Sequence, residues 1–118
     1  MSTHETDERG RLLQGTLDLL VLRTLELGPQ HGQGIARAIQ ERSSDALLVE
    51  HGSLYPALKR LEERGWVRAR WGVSDSNRRA RFYELTAKGK RQLVEEAGRW
   101  QRLVDAVGRI LGPDPAEG

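Results

Sequence analysis

The chain has 118 residues, 37% of them hydrophobic and 31% charged, and its formal net charge is +2. This length fits one domain with a modest core. The absence of cysteine excludes disulfide cross-links and thiolate metal sites and favours a reducing, cytoplasmic location. Since no segment reaches the roughly 18 apolar residues of a membrane span and the N-terminus is polar, we expect neither a membrane anchor nor a signal peptide.

The positive charge is concentrated in one part of the chain. Residues 51–91 contain 11 Lys or Arg against 4 Asp or Glu, whereas the remainder contains 8 against 13. A basic block within an otherwise acidic chain indicates a surface that binds a polyanion.

The first predicted element is a helix within residues 12–27, which follows a polar segment, residues 1–11, that we expect to be disordered. Thr16 is its candidate N-cap, and Gly28 followed by Pro29 ends the pattern. Apolar residues cover most of the helix circumference, so one side should meet the core and another a second chain. The residues assigned to this dimer interface are Leu13, Leu17 and Leu20.

A second, shorter helix is predicted over residues 31–44, with Ile35, Ala36 and Ile39 facing inward. The following residues, 46–50, fit either a short strand or the turn before the next helix.

The third predicted helix lies within residues 51–65. Ser53 is the candidate N-cap, Pro56 is placed in the first turn, where proline is tolerated, and Gly65 provides a left-handed exit. One face of this helix is apolar, which leaves the other face free for a partner. The apolar residues are Leu54, Leu58 and Leu61.

Residues 66–72 and 80–86 are β-prone runs joined by a polar turn, and they predict a β-hairpin. We interpret the apolar residues of the two strands as core or partly core; they are Val67, Ala69, Trp71, Tyr83 and Leu85. Trp66 is interpreted as a packing residue.

Five arginines give the hairpin a strongly positive charge, although Glu84 can pair with one of them. Asp75 is the single acid in the turn, so the signs are not mixed as they are on most solvent-exposed hairpin edges. This composition favours contact with a phosphate backbone. The arginines are Arg68, Arg70, Arg78, Arg79 and Arg81.

A long final helix is predicted after the hairpin, with Thr86 as its cap and Gly112 and Pro113 at its end. A heptad row along it predicts a dimer seam. The residues of this row are Leu93, Ala97, Trp100, Val104, Val107 and Leu111. Two interpretations of Trp100 stay open: it fills the dimer core, or it lines a flat-walled pocket for an aromatic effector.

The order of elements predicts a mainly α fold with a small β-hairpin: a winged helix-turn-helix domain over residues 12–86, a C-terminal dimerisation helix over 87–111 and a flexible tail over 112–118.

In such domains the third helix is presented to the DNA major groove. Its acids, Glu62 and Glu63, lie toward its far end, which favours insertion by the N-terminal end. The residues expected to contact DNA are Ser53, Tyr55, Lys59, Arg60, Arg78, Arg79 and Arg81.

An enzymatic function is not expected. His4, His31 and His51 are scattered without metal-ligand spacing, and no nucleophile, histidine and acid fall together on a predicted cleft. The sequence therefore predicts no cofactor and no metal.

Four stretches, in this order, resemble the PadR family of bacterial transcriptional regulators: GTLDLLVLRTL, HGQGIA, GSLYPALKRLEERGWV and NRRARFYELTAKGK. The resemblance extends from Leu13 to Leu111 and implies a winged-helix homodimer that binds palindromic promoter DNA, usually as a repressor. It implies recognition-helix contacts from Tyr55 and Lys59 with neighbouring Ser53 and Arg60, and wing contacts from Arg78, Arg79 and Arg81.

The resemblance further implies that the last helix exchanges with the N-terminal helix of the partner. Because some family members release DNA when phenolic acids or hydrophobic drugs bind near the dimer interface, a small aromatic effector beside Trp100 is an expectation here. The chain departs from the family at Gln33, where a Tyr is common. The contrasting hypothesis is a winged-helix interaction module that docks an acidic protein without specific DNA binding.

Overall fold

The computed structural model describes residues 14–113. In chain order the elements are α1 (Gln14–Leu25), β1 (Gln30–His31), α2 (Gly32–Arg42), α3 (His51–Glu63), β2 (Val67–Val73), β3 (Arg79–Leu85) and α4 (Ala87–Leu111). The strands form one antiparallel sheet in the order β1-β3-β2. The predicted fold class, mainly α with a small hairpin, is confirmed. Leu13, the segment 1–11 and residues 114–118 of the predicted tail lie outside the described residues.

The core lies where the first three helices meet the inner end of the sheet and the start of α4. The burial of these side chains supplies the main stabilisation, about 1.5–3 kcal/mol for each large one. The inward residues predicted for α2 and α3 are confirmed, with Ala36 only half-buried. The core residues are Leu17, Val21, Leu22, Leu25, Ile35, Ile39, Leu54, Ala57, Leu58, Leu61, Val67, Tyr83 and Leu93.

Two predicted helix starts are wrong. Thr16 lies inside α1, which already includes Gln14, so its hydroxyl does not cap the helix. Ser53 lies in the first turn of α3, because the backbone carbonyl of Glu50 accepts from the amides of Ser53 and Leu54 and makes Glu50 the N-cap. Both errors arise because a polar side chain inside the first turns resembles a cap in the sequence.

Pro56 is the sixth residue of α3 and therefore lies beyond the first turn in which it was predicted. At this position its missing N–H removes the bond that the carbonyl of Gly52 would otherwise accept. Both residues are exposed, so solvent can satisfy that carbonyl.

Residues 46–50 form no strand, so the turn is the correct alternative of the two predicted there. The short strand instead precedes α2: Gln30 and His31 pair with Tyr83 and Phe82 of β3. A two-residue strand carries no alternation for a sequence pattern to detect.

The junction between the hairpin and α4 is tightly specified. The predicted cap is confirmed: the Thr86 hydroxyl accepts from the Gly89 amide at 3.0 Å and donates to the Gly65 carbonyl at 2.6 Å. Gly65 has the predicted left-handed conformation, with φ of 76°. A Cβ at Gly89 would overlap the carbonyl oxygen of Trp66, so only glycine fits there.

Two residues that were assigned to a dimer interface are instead buried within the single chain. Leu17 and Leu93 are each 3% exposed, because the first turns of α4 pack across α1 and cover both side chains. Neither residue retains surface for a partner. The other described residues of that set are half-buried or exposed: Leu20, Ala97, Trp100, Val104, Val107 and Leu111.

Candidate nucleic-acid interface

A groove of about 360 Å³ lies between the hairpin and the beginnings of α2 and α3. The hairpin contributes one wall, with three arginines, and the two helices contribute the other. Its principal residues are His31, Tyr55, Trp71, Arg78, Arg79 and Arg81. The groove therefore joins the arginines of the β2–β3 hairpin, residues 67–85, which is the wing of the fold, to the exposed face of α3.

Tyr55 is held in place although its side chain is 44% exposed. Its ring lies against Gly32, where an added Cβ would lie 2.6 Å from the hydroxyl oxygen. The ring also meets His51 edge to face, with centroids 5.7 Å apart. Gly32 thus provides the space that lets Tyr55 pack beside α2 at the border of the groove.

His31 positions the start of α2 and was not predicted as a site residue. Its Nδ1 accepts from the Gly34 amide at 3.1 Å, and its ring meets Phe82 edge to face at 5.3 Å. It therefore serves as an N-cap and ties α2 to the sheet. The signal in the sequence was its place directly before the helix, but histidine is not among the usual capping residues.

Arg78 and Arg79 lie near the tip of the wing, where no described carboxylate offsets their positive charge. Both are exposed, and neither forms an ion pair with any carboxylate of residues 14–113. The Arg79 guanidinium lies 4.6 Å above the centroid of the Trp71 ring. These two cations are available to a phosphate backbone.

Arg68 and Arg81 are paired with carboxylates of their own chain. The predicted Glu84 pair is confirmed, with Arg68 Nε 2.9 Å from Glu84 Oε1. Arg81 Nη2 lies 2.8 Å from Glu62 Oε2, so this pair links the wing to α3. Since both arginines are about half exposed or more, these pairs are weak and can exchange for a phosphate.

Tyr83 supports the inner end of the wing. Burial raises the pKa of its hydroxyl above the ordinary 10.0, and the Arg81 guanidinium, 5.9 Å from the ring centroid, partly opposes that shift. The phenol is therefore neutral at physiological pH.

Arg60 is not among the residues that line the groove, and it pairs with Asp18 of α1. The distance from Arg60 Nη2 to Asp18 Oδ1 is 2.8 Å, and Arg64 Nη1 lies 3.7 Å from the other carboxylate oxygen. Asp18 is only 6% exposed, so it depends on these cations for compensation of its charge. Arg60 thus anchors α3 to α1 and is not placed for the DNA contact predicted for it. Among the other predicted α3 residues, Lys59 is exposed and Ser53 half-buried.

Trp71 is 61% exposed, which corrects its interpretation as a core residue. It shares a strand face with buried Val67, but the hairpin leaves the body of the molecule before it reaches Trp71. None of the described elements covers the indole. Trp66, by contrast, packs against the core as predicted.

Trp100 separates two apolar grooves between α1 and α4. Their volumes are about 450 and 390 Å³, and Leu19 and Thr16 contribute to both. The indole is 44% exposed. The exposed aliphatic side chains of α4 follow it toward the C-terminus: Leu103, Val104, Val107, Ile110 and Leu111.

A family model described as the transcriptional regulator PadR-like family matches residues 21–95, more than half of the chain. The matched region includes α2, α3 and the whole wing. The chain belongs to the PadR-like family. As a PadR-like protein it is a DNA-binding transcriptional regulator and not an enzyme, and the family predicted from the sequence is confirmed.

Curated relatives and solved structures agree with this assignment. The negative transcriptional regulator PadR of Bacillus subtilis is 26% identical over 77% of this chain, which spans about half (50%) of that protein. A PadR family transcription regulator of Clostridium difficile is 28% identical, with a TM-score of 0.70 over 81% of this chain and 98% of that one. A transcriptional regulator of Clostridium thermocellum, 21% identical, shares the fold with a TM-score of 0.76 over 84% and 96% of the two chains.

Among the residues that the structure describes, no helix is both long enough and apolar enough to cross a membrane. No group of three or more His, Asp or Glu side chains in the same residues is arranged to hold a metal ion.

Proposed function

We propose that this PadR-like protein is a homodimeric repressor that binds a palindromic operator in the cytoplasm. Each protomer inserts the N-terminal end of α3 into the major groove, and its wing contacts the flanking phosphates. The observation that carries the proposal is the groove that Tyr55 of α3 lines together with Arg78 and Arg79 of the wing, two arginines that form no ion pair within residues 14–113.

The side chains divide by the part of the duplex that they would reach. Ser53 and Tyr55 belong to the N-terminal half of α3 that enters the groove, and Lys59 lies one turn after Tyr55 on the same face; these three contact base edges. Arg78 and Arg79 contact phosphates, and Arg81 joins them when it exchanges Glu62 for a phosphate. Insertion by the N-terminal end keeps Glu63, at the far end of α3, away from the backbone, whereas Glu62 stays beside the wing through its pair with Arg81.

The exposed apolar row of α4 supplies the dimer interface in this proposal. Val104 and Val107 are each 42% exposed, and Leu111 is 76% exposed. An apolar row at helical spacing on a helix this long is typical of a surface covered by a second chain. In the dimer the two copies of α3 lie about 34 Å apart, one turn of DNA.

We further propose that a planar aromatic effector binds beside Trp100 and releases the DNA. The two grooves that flank the indole are mainly apolar and large enough for a small ring system. Titration with a phenolic acid should quench the tryptophan fluorescence and weaken operator binding in parallel. Quenching without any effect on DNA binding would contradict the role of effector.

Fluorescence anisotropy with the DNA upstream of the gene tests the main proposal. The purified protein is titrated with that duplex and with a scrambled duplex at two salt concentrations. We expect a preference of roughly 10³-fold or more for the upstream duplex and weaker binding at the higher salt concentration. Equal, weak binding to both duplexes would contradict autoregulation through a specific operator and would favour an acidic protein partner, which a pull-down would identify.

A further inference from the structure

Trp71 is an exposed indole that packing does not explain. It lies in β2 directly opposite Arg81 of β3, on the strand face whose inner residues, Val67 and Tyr83, are buried. A side chain of this size normally buries most of its surface. Its exposure at the outer end of the wing therefore points to a partner.

Trp71 also organises its neighbour Arg79. Arg79 pairs with Val73 in the strand register and is thus the diagonal neighbour of Trp71 on the same face. Its guanidinium lies 4.6 Å above the ring centroid, within the range of a cation–π contact. A guanidinium stacked in this way keeps its N–H edges free for a phosphate.

Two other arginines of the hairpin, Arg68 and Arg81, are anchored differently. Glu84 holds Arg68 and Glu62 holds Arg81, and each carboxylate offsets the charge that it positions. The indole restricts the Arg79 side chain without neutralising it. The Trp71 indole therefore orders the Arg79 guanidinium and leaves its positive charge uncompensated, whereas a carboxylate partner would offset that charge.

The Trp71 ring borders the same groove as Tyr55, Ser74 and Ser76. A duplex whose backbone lies against this groove presents phosphates together with the apolar C–H groups of its sugars. The Arg79 guanidinium is suited to bind a phosphate, and the indole is suited to pack against the C–H groups of the sugars.

We propose that Trp71 is a positioning residue for Arg79 in the nucleic-acid interface, and that bound duplex covers its indole. This inference rests on the proposed function of the wing groove.

Fluorine NMR tests whether the indole is covered. Full-length protein labelled with 5-fluorotryptophan gives one signal for each of the three tryptophans, and Trp71→Phe assigns one of them. Upstream duplex should shift the Trp71 signal and reduce its solvent isotope shift, while the Trp66 signal stays in place. DNA binding with an unchanged Trp71 signal would overturn the inference and leave the proposed function intact, whereas absence of any DNA binding would overturn both.

A double-mutant cycle tests whether Trp71 acts through Arg79. We expect Trp71→Ala to weaken DNA binding about fivefold and Trp71→Phe to retain most of the affinity. Trp71→Ala should leave the salt dependence nearly unchanged because the arginine remains, whereas Arg79→Ala should lower the salt slope by about 1. In the Arg79→Ala background, Trp71→Ala should have less than about a twofold further effect.

An equal loss in both backgrounds would overturn the positioning role. Because Trp71 is exposed, thermal unfolding of the variants should match that of the parent, which separates a binding effect from misfolding. Arg68→Ala, on the opposite face of the same strand, provides a control for loss of an arginine that is already paired with a carboxylate.

Discussion

The wing and the outer part of α4 both project from the packed body, and each exposes an indole, but the neighbours of the two indoles differ. The Trp71 ring stacks against the Arg79 guanidinium and lines a groove together with the side chains of two serines and two further arginines. Trp100 lies beside Leu19 and Leu103, and the arginines that border its two grooves, Arg23 and Arg99, are paired with Glu26 and Glu96. The same side chain thus serves a surface suited to a polyanion at one end of the molecule and a surface suited to an apolar partner at the other.

The exposure of an indole therefore does not by itself identify the kind of partner, whereas the charged side chains beside the indole do. An apolar row whose neighbouring arginines are already paired with carboxylates favours another protein chain or an aromatic ligand. An aromatic ring beneath an unpaired guanidinium favours phosphate.

The largest effect is expected at the junction. Gly89→Ala places a Cβ on the carbonyl of Trp66, and because the obstacle is backbone, the start of α4 must move. We expect the free energy of unfolding to fall by about 3 kcal/mol, at the upper end of overpacking costs. Urea denaturation followed by circular dichroism measures this change.

Gly98→Ala is the matched control in the same helix. Its Cβ would meet only the flexible end of Arg102 at 3.4 Å, so alanine should stabilise the helix by up to about 1 kcal/mol. Equal destabilisation by the two variants would show that the contact with Trp66 is not what requires glycine at position 89.

The next effect tests the apolar region. Val104→Glu introduces a carboxylate into the exposed row of α4, where a dimer would bury it without a partner. We expect a monomer in sedimentation and about a 100-fold loss of operator affinity, because two half-sites can no longer be bound together. Arg102→Glu, on the polar side of the helix, should leave the dimer intact. A dimeric Val104→Glu protein would refute the assignment of this face.

A smaller effect is expected in the wing region. Arg79→Ala removes an unpaired cation and should weaken binding to operator and scrambled DNA alike, by about tenfold at low salt. Arg68→Ala removes the same formal charge from a residue that Glu84 already offsets, so its effect should be smaller. Equal losses from the two variants would show that only net charge matters and that the arrangement of the wing does not.

The sequence was sufficient to predict the helices, the hairpin and the family because these depend on local periodicity, turn residues and motif order. It could not decide which charges are available, since that depends on contacts between distant residues. Arg60 and Asp18 are 42 positions apart, and their contact withdraws Arg60 from the surface predicted for DNA. Leu17 and Leu93 likewise fit the pattern of a dimer interface in the sequence, but α4 packs across α1 in the same chain and buries both side chains. Trp71 fitted a core pattern because alternation along a strand does not reveal where a hairpin leaves the body.

The smallest effect should distinguish base reading from phosphate contact within the wing groove. Tyr55→Phe keeps the ring between Gly32 and His51 and removes only the hydroxyl, which lies beside Gly32 at the border of the groove. If that hydroxyl reads a base edge, the ratio of operator to scrambled affinity should fall about three- to tenfold while binding to scrambled DNA is unchanged. Competition anisotropy with both duplexes measures this ratio. Equal losses on the two duplexes would instead assign Tyr55 to the phosphate backbone together with Arg79, and specificity would then rest on Lys59 and Ser53.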